Sequence, residues 1–461
     1  MIRKLIGAAA LLAASLASAP AAAQSQQDEL DARYDRALAA GYKALFLCSA
    51  IANAERNGAT RTPESVMEWE LTGIQEPLDA IMGKLSYEIQ RDDQGFVRRV
   101  TVTWSENMPP RSAVHSGKGC SLAPMGQPFA WRGSRLAASG EGPEQLIAMP
   151  WGSERISLWL GAKIAPLLEQ AVFGEYGDGT RTTAVLVKRG DGIAERYAEG
   201  FDPLTPQRTW SVAKSIAATL VGAAVQRGEA DVNASARLGR SDDDPRRAIT
   251  IDHLLRMASG RYSDTPGNRT DPLYFGGSTV EETALHWPLI HPPGTVFRYA
   301  NNDTLMAVEA ISHTLADHPP AEFFARLGMN DTVAETDWQG SYILSSQVWS
   351  TARDLAKLGQ LYLDDGVLPS GERILPQGWV EYVSSPAGPQ PEGPLGYGAG
   401  VWLFNKAEGV SPDTFAAMGN RGQYVVIVPS RDVVIVRRGE DPPGTRFDIV
   451  AFTRDVLAAL E

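Results

Sequence analysis

The chain is poor in the residues that hold metals and move electrons, with two cysteines and six histidines in 461 residues. It has no Cys-x-x-Cys pair, which excludes a thioredoxin-like redox motif. It has no His-Glu-x-x-His and no tight His/Cys set, so no metal site is legible and no cofactor is expected. His253, His286 and His291 are scattered, and His253 reads as a helix-packing residue. A Gly-x-Ser-x-Gly elbow is missing, which argues against an α/β-hydrolase. Phosphate-loop and dinucleotide fingerprints are missing as well. Basic charge is also scarce: 43 Lys and Arg against 55 Asp and Glu leave a formal charge of −12. Binding to nucleic acid needs a concentrated basic face, and none is present.

What is present begins with "MIRKLIGAAALLAASLASAPAAAQ". Arg3 and Lys4 precede an apolar stretch from Leu5 to about Ala19, and small residues follow at Ala21 and Ala23. This layout predicts a secretory signal over residues 1–23, cleaved after Ala23. No later segment reads as long and apolar enough to span a bilayer, so a soluble exported protein is expected, periplasmic or secreted. Export makes the cysteine pair informative. An oxidising compartment lets Cys48 and Cys120 bridge, and closing a loop of this length stabilises by about 4 kcal/mol on the entropic view.

Two regimes divide the rest. Residues 24–179 form an extension with helical spacing over 27–57, an alternating strand over 97–104, and Pro/Gly-rich loops over about 108–153. No chemical constellation is legible there. From residue 180 to 461 the pattern changes to a strand, a Gly-Asp-Gly turn and a strand, followed by an apolar helix after Ser211. "TIDHLLRMASG" reads as a helix ending at Gly260. Thr351 with Asp354 reads as a short capping box opening an amphipathic helix. "GQYVVIVPSRDVVIVRRG" reads as two strands, and a last helix closes the chain. Strands at both ends with helices between predict an α+β fold, an antiparallel sheet covered by helices.

Three short stretches carry possible chemistry. In "SVAKSIAATLVGAAVQ" Lys214 follows Ser211 by three residues, which places both on one helix face. The helix is apolar nearly all round, so Lys214 either points to solvent or is desolvated beside Ser211. Desolvation favours a neutral amine, the general base that a serine nucleophile needs. "PPGTVFRYANND" places Tyr299 and Asn301 two apart in a loop. Tyrosine shuttles a proton if neighbouring cations lower its pKa, and asparagine binds a carbonyl or a lysine. "AAMGNRGQYVVIV" is a glycine turn entering a strand, whose N–H groups suit an oxyanion hole. Each stretch is weak by itself; Ser-x-x-Lys is expected about once by chance in a chain of this size.

In this order, Ser-x-x-Lys, Tyr-x-Asn and a glycine strand resemble the serine β-lactamase and penicillin-binding-protein superfamily. With "HLLRMASG", "STARDLAKLGQLYLDDG" and "GERILPQGWV", residues 180–461 are most similar to its class C-like hydrolases, in the 6-aminohexanoate-dimer (nylon oligomer) hydrolase branch. The resemblance implies a β-lactamase-like α+β fold with an all-helical subdomain. It also implies Ser211 as the acylated nucleophile, Lys214 as its base and Tyr299 as the proton relay. Asn301 then orients substrate, and the N–H groups of Ser211 and Asn420, beside Gly419, form the oxyanion hole. A small-molecule amide or ester is the implied substrate.

One departure stands out. Where the family carries Lys-Thr-Gly or His-x-Gly, this chain has Ala417-Met418-Gly419, without a cation, and Arg421 is the nearest substitute. This disfavours β-lactams and cell-wall carboxypeptidase substrates. It also leaves open a non-catalytic binder of acyl ligands or cell-wall fragments on the same fold.

Overall fold

The structure, a computed structural model, describes residues 18–124, 126, 155–156, 158–262 and 270–461. The predicted signal therefore lies largely outside the described residues. Helix α1 (Ser18–Asn57) runs through the predicted cleavage point, and its residues 24–34 are exposed. Beyond them its apolar residues pack on an antiparallel meander of β1 (Ser86–Arg91), β2 (Val97–Thr103), β3 (Arg111–His115) and β4 (Cys120–Leu122). Cys48 of α1 is bonded to Cys120 of β4 across a Cα separation of 6.1 Å, so the expected disulfide is present. Strands β3 and β4 fall where only loops were expected, because their short runs are interrupted by glycine and proline.

One sequence expectation is corrected here. The segment Gln24–Asn57 is long and apolar enough to cross a bilayer, with a window of mean hydropathy 1.3, yet that whole window is buried inside the protein. Alanine lets this helix sit deep in the core, and the same alanine raises its hydropathy. It is a core helix.

Strands β5 (Arg155–Ile156), β6 (Thr182–Arg189) and β7 (Gly192–Tyr197) open the main sheet. A small sheet pairs β8 (Gln207–Arg208) and β9 (Val333–Ala334) on either side of β10 (Val348–Ser350). The main sheet is completed by β11 (Gly396–Tyr397), β12 (Trp402–Leu403), β13 (Phe415–Gly419), β14 (Gln423–Val428) and β15 (Val433–Gly439). Its order is β11-β12-β13-β14-β15-β6-β7-β5, antiparallel except for β5 beside β7. Both faces are covered, which explains the unbroken valine and isoleucine runs. Val434 and Val436 face one core while Val433 and Ile435 face the other.

The outer face is closed by helices α2 (Leu158–Val172) and α6 (Ile449–Ala459). The inner face carries α3 (Val212–Gln226), α4 (Asn301–Ala310), α5 (Ala352–Leu363) and several shorter helices. This is the expected α+β layering. The main sheet and its helices reach back to Arg155, earlier than the expected boundary at residue 180, because α2 packs on β6 and β7. Nor does the extension stand apart: α1 and the inner helices share one continuous core. At the α1 crossing a Cβ on Gly41 would lie 1.5 Å from the Phe275 carbonyl oxygen, so only glycine permits it.

Two local expectations also change. The helix Ile251–Leu255 stops before Gly260, which sits in the following loop at φ +75°. Thr351 caps Asp354 N at 3.1 Å, but the Asp354 carboxylate serves Asp331 N and Thr332 Oγ1 instead of closing the box. His253 is a capping residue, its Nδ1 accepting from Thr250 N.

Candidate active site

Ser211 stands at the mouth of α3, immediately after Trp210, whose φ of +50° is rare for a bulky residue. That turn swings the chain from β8 into the helix. Ser211 makes no side-chain capping bond. Its Oγ is instead engaged by Lys214 Nζ at 3.0 Å, from one turn further along.

Every residue of α3 from Val212 to Ala224 is buried, Lys214 included at 1% exposure. An amine so placed must have partners. Lys214 Nζ lies 2.7 Å from Asn301 Oδ1 and 2.9 Å from the Ser345 carbonyl, so of the two sequence alternatives the buried one holds. Asn301 is not in a loop, as the sequence suggested, but is the first residue of α4 after extended Ala300. Its Nδ2 donates to Thr270 Oγ1 at 3.1 Å, which fixes its amide oxygen toward the lysine. The Tyr274 hydroxyl and Ser345 Oγ, 2.7 Å apart, brace the other acceptor.

The ring of Tyr299 lies 5.1 Å from Lys214 Nζ. Burial raises its phenol well above the ordinary value, while a side-chain hydrogen bond with Ser211 pulls the other way and nearby Tyr274 adds to the rise. The sequence reading allowed a phenol lowered by cations. The structure shows the reverse, because desolvation dominates. Tyr299 is therefore a neutral O–H at physiological pH. Its ring lies tilted at 5.5 Å from Trp402 and edge-on at 6.0 Å from Tyr397, and Phe297 extends this aromatic wall at 5.4 Å from Tyr397.

The third motif closes the site from the sheet. Alternation along β13 turns Ala417 into the inner core and Met418 toward the outer one. A Cβ on Gly419 would lie 2.4 Å from the Thr209 carbonyl oxygen and 3.0 Å from Ser211 N. Only glycine lets the strand end lie against the Trp210–Ser211 turn, and Asn420 follows directly. The position corresponding to the family's cation thus holds the Ala417 methyl group. Arg421 does not replace it. Its guanidinium is buried, donates to Glu440 at 2.5 Å, and reaches the carbonyls of Trp69, Thr72 and Gly73.

All six residues singled out by sequence, Ser211, Lys214, Tyr299, Asn301, Gly419 and Asn420, belong to this one locality. Thr270, Tyr274, Ser345 and Trp402 were missed. Ser345 contributes a backbone carbonyl, which leaves no trace in residue identity, and the other three lie far from any motif.

Ser211, buried Lys214 and Tyr299 thus cluster between a helical layer and an antiparallel sheet. The family model described as Beta-lactamase matches residues 170–460, and the chain belongs to that family of hydrolases. It is 29% identical over 322 residues to the 6-aminohexanoate-dimer hydrolase of Paenarthrobacter ureafaciens, covering 61% of this chain and 77% of the relative. A solved structure from Bacillus anthracis, provisionally assigned as a 6-aminohexanoate-dimer hydrolase, matches with a TM-score of 0.53 at 22% identity. That match covers 64% of this chain and 81% of the other, and it supports the fold.

Proposed function

We propose that the protein cleaves amide or ester bonds of small acyl substrates through a covalent acyl-enzyme on Ser211. The observation that carries this reading is the surroundings of Lys214. Among its neighbours, Asn301 Oδ1 and the Ser345 carbonyl can only accept hydrogen bonds, and the Ser211 hydroxyl lies at 3.0 Å. A neutral amine satisfies this set with two N–H groups and keeps its lone pair for the serine proton.

In the proposed cycle Ser211 Oγ gives its proton to Lys214 Nζ and bonds to the substrate carbonyl carbon. The carbonyl oxygen takes the negative charge against the N–H groups of Ser211 and Asn420. Tyr299 protonates the departing nitrogen or oxygen as the C–N or C–O bond breaks. The resulting phenolate, beside the lysine ammonium, then takes a proton from water. The hydroxide attacks the acyl carbon, the bond to Oγ breaks, and Lys214 returns the proton to Ser211.

Substrate class follows from what faces the cleft. With Ala417 in place of a cation and aromatic rings beside Tyr299, acyl groups without a carboxylate next to the scissile bond are favoured. The 29% identical relative, by name a 6-aminohexanoate-dimer hydrolase, supports keeping amides among them. Turnover of p-nitrophenyl butyrate, compared with nitrocefin, tests this reading. Steady turnover of the ester and weak or absent nitrocefin hydrolysis are expected; a single stoichiometric burst would indicate a binder.

Export through cleavage after Ala23 is proposed on the charged and apolar pattern of residues 3–19, with the disulfide as support. N-terminal sequencing of the protein recovered from outside the cytoplasm tests it; a Gln24 start is expected.

A further inference from the structure

Two of the contacts between the N-terminal extension and the rest of the chain each lie one residue from a proposed oxyanion donor. On the Ser211 side, Phe46 of α1 lies 6.0 Å from the Trp210 ring. The Arg208 guanidinium, fully buried, sits 3.9 Å over Trp210 and 5.0 Å over Phe46. Arg208 also donates to Ser346 Oγ and the Ser346 carbonyl, next to the Ser345 carbonyl that Lys214 uses. Cys48, two residues from Phe46, bonds α1 to β4.

On the Asn420 side, Arg421 donates to the carbonyls of Trp69, Thr72 and Gly73 and to the Glu440 carboxylate. Close by, Arg61 and Glu70 form a fully buried pair within the same stretch of the extension. The two contacts share a backbone feature. Trp210 and Arg421 both have positive φ, +50° and +55°. Such conformations persist in non-glycine residues only where the surroundings over-determine them. Here part of those surroundings comes from residues 46 and 69–73 of the extension.

We propose that the extension is a positioning element of the active site: through Phe46 and the carbonyls of residues 69–73 it sets the direction of the Ser211 and Asn420 N–H groups. The inference rests on the proposed acyl-enzyme reading. Oxyanion donors act only when aimed at the developing charge, and losing one costs about 10²–10³ in kcat. A loosened donor costs part of that.

The test uses the full chain with Arg421→Lys and Phe46→Leu. Lysine keeps a cation for Glu440 but loses the planar fork that spans three carbonyls. Leucine fills most of the Phe46 space without the ring, and it provides the test should the arginine variant fail to fold. Turnover of p-nitrophenyl butyrate is measured with inhibition by phenylboronic acid, whose tetrahedral adduct mimics the charged intermediate. The expected result in folded variants is a kcat about tenfold lower, KM within about twofold, and boronate affinity weakened by the same factor as kcat. A merely structural role would leave boronate affinity unchanged in the folded fraction. A kcat within about twofold of wild type in a folded variant, or a loss without boronate weakening, overturns the proposal. Failure of the wild-type protein itself to turn over would instead sink the acyl-enzyme reading on which the proposal stands.

Discussion

Lys214 Nζ lies 3.0 Å from Ser211 Oγ along one buried helix, and Asn301 Oδ1 and the Ser345 carbonyl also accept from it. Burying a lysine to 1% exposure is costly for stability, and the proposed chemistry beside Ser211 gives that burial a use. Ser211→Ala is expected to reduce turnover by about 10³-fold or more with the fold intact, and Lys214→Ala to block acylation to a similar degree. Stopped-flow measurement of p-nitrophenolate release separates acylation from later steps. An unchanged acylation rate in Lys214→Ala would remove that lysine from the mechanism.

Tyr299 supplies the second prediction. Burial raises its phenol, which suits the proposed role of donor to the leaving group. Tyr299→Phe is expected to slow hydrolysis by about 10²–10⁴-fold for an alkyl amide. The effect on acylation by a p-nitrophenyl ester should be smaller, since that leaving group departs without a proton. Equal losses on both substrates would contradict the donor role.

The buried carboxylate of Glu335 gives a pH dependence of stability. Burial raises it to about 7, against hydrogen bonds from Cys120 N, Ser49, Trp349 and Asn53 that lower it. Unfolded, a glutamate ionises near pH 4.5. Between that value and about 7 the folded protein holds a proton that the unfolded chain has released. Stability from this group is therefore full below about pH 4.5 and is lost as pH rises through about 7. The span corresponds to about 3 kcal/mol. Glu335→Gln should flatten the profile, so the Tm of the variant should gain on wild type between pH 5 and 8. Parallel Tm profiles would contradict it.

The chemistry was more legible in sequence than the scaffold that aims it. Ser211, Lys214, Tyr299 and Asn301 lie in short motifs, as the proposed proton relay requires, since it needs fixed residue types at fixed spacing. The strands β14 and β15 were legible for a similar reason, since a sheet covered on both faces demands apolar runs such as "YVVIV". Short β3 and β4 were not, and neither was the depth of α1, whose alanines suit a core helix and a membrane helix alike. The assignment of Arg421 also fails in sequence. A guanidinium two residues beyond β13 has two directions open to it, and the carbonyls of residues 69–73, some 350 positions away in the chain, decide between them.

Removing the disulfide tests the extension by a different route. Replacing both Cys48 and Cys120 by alanine should lower stability by about 4 kcal/mol, given the 72-residue separation. Chemical denaturation at constant pH measures it. A loss below about 1 kcal/mol would show that the packing of α1 on its sheet carries the extension unaided.

The most direct test of the central claim is the intact mass of the protein after treatment with a fluorophosphonate, followed by peptide mapping. One adduct on Ser211, absent in Lys214→Ala, is the predicted result. Folded wild-type protein that takes no adduct, or takes it on another residue, would contradict an activated serine in this site.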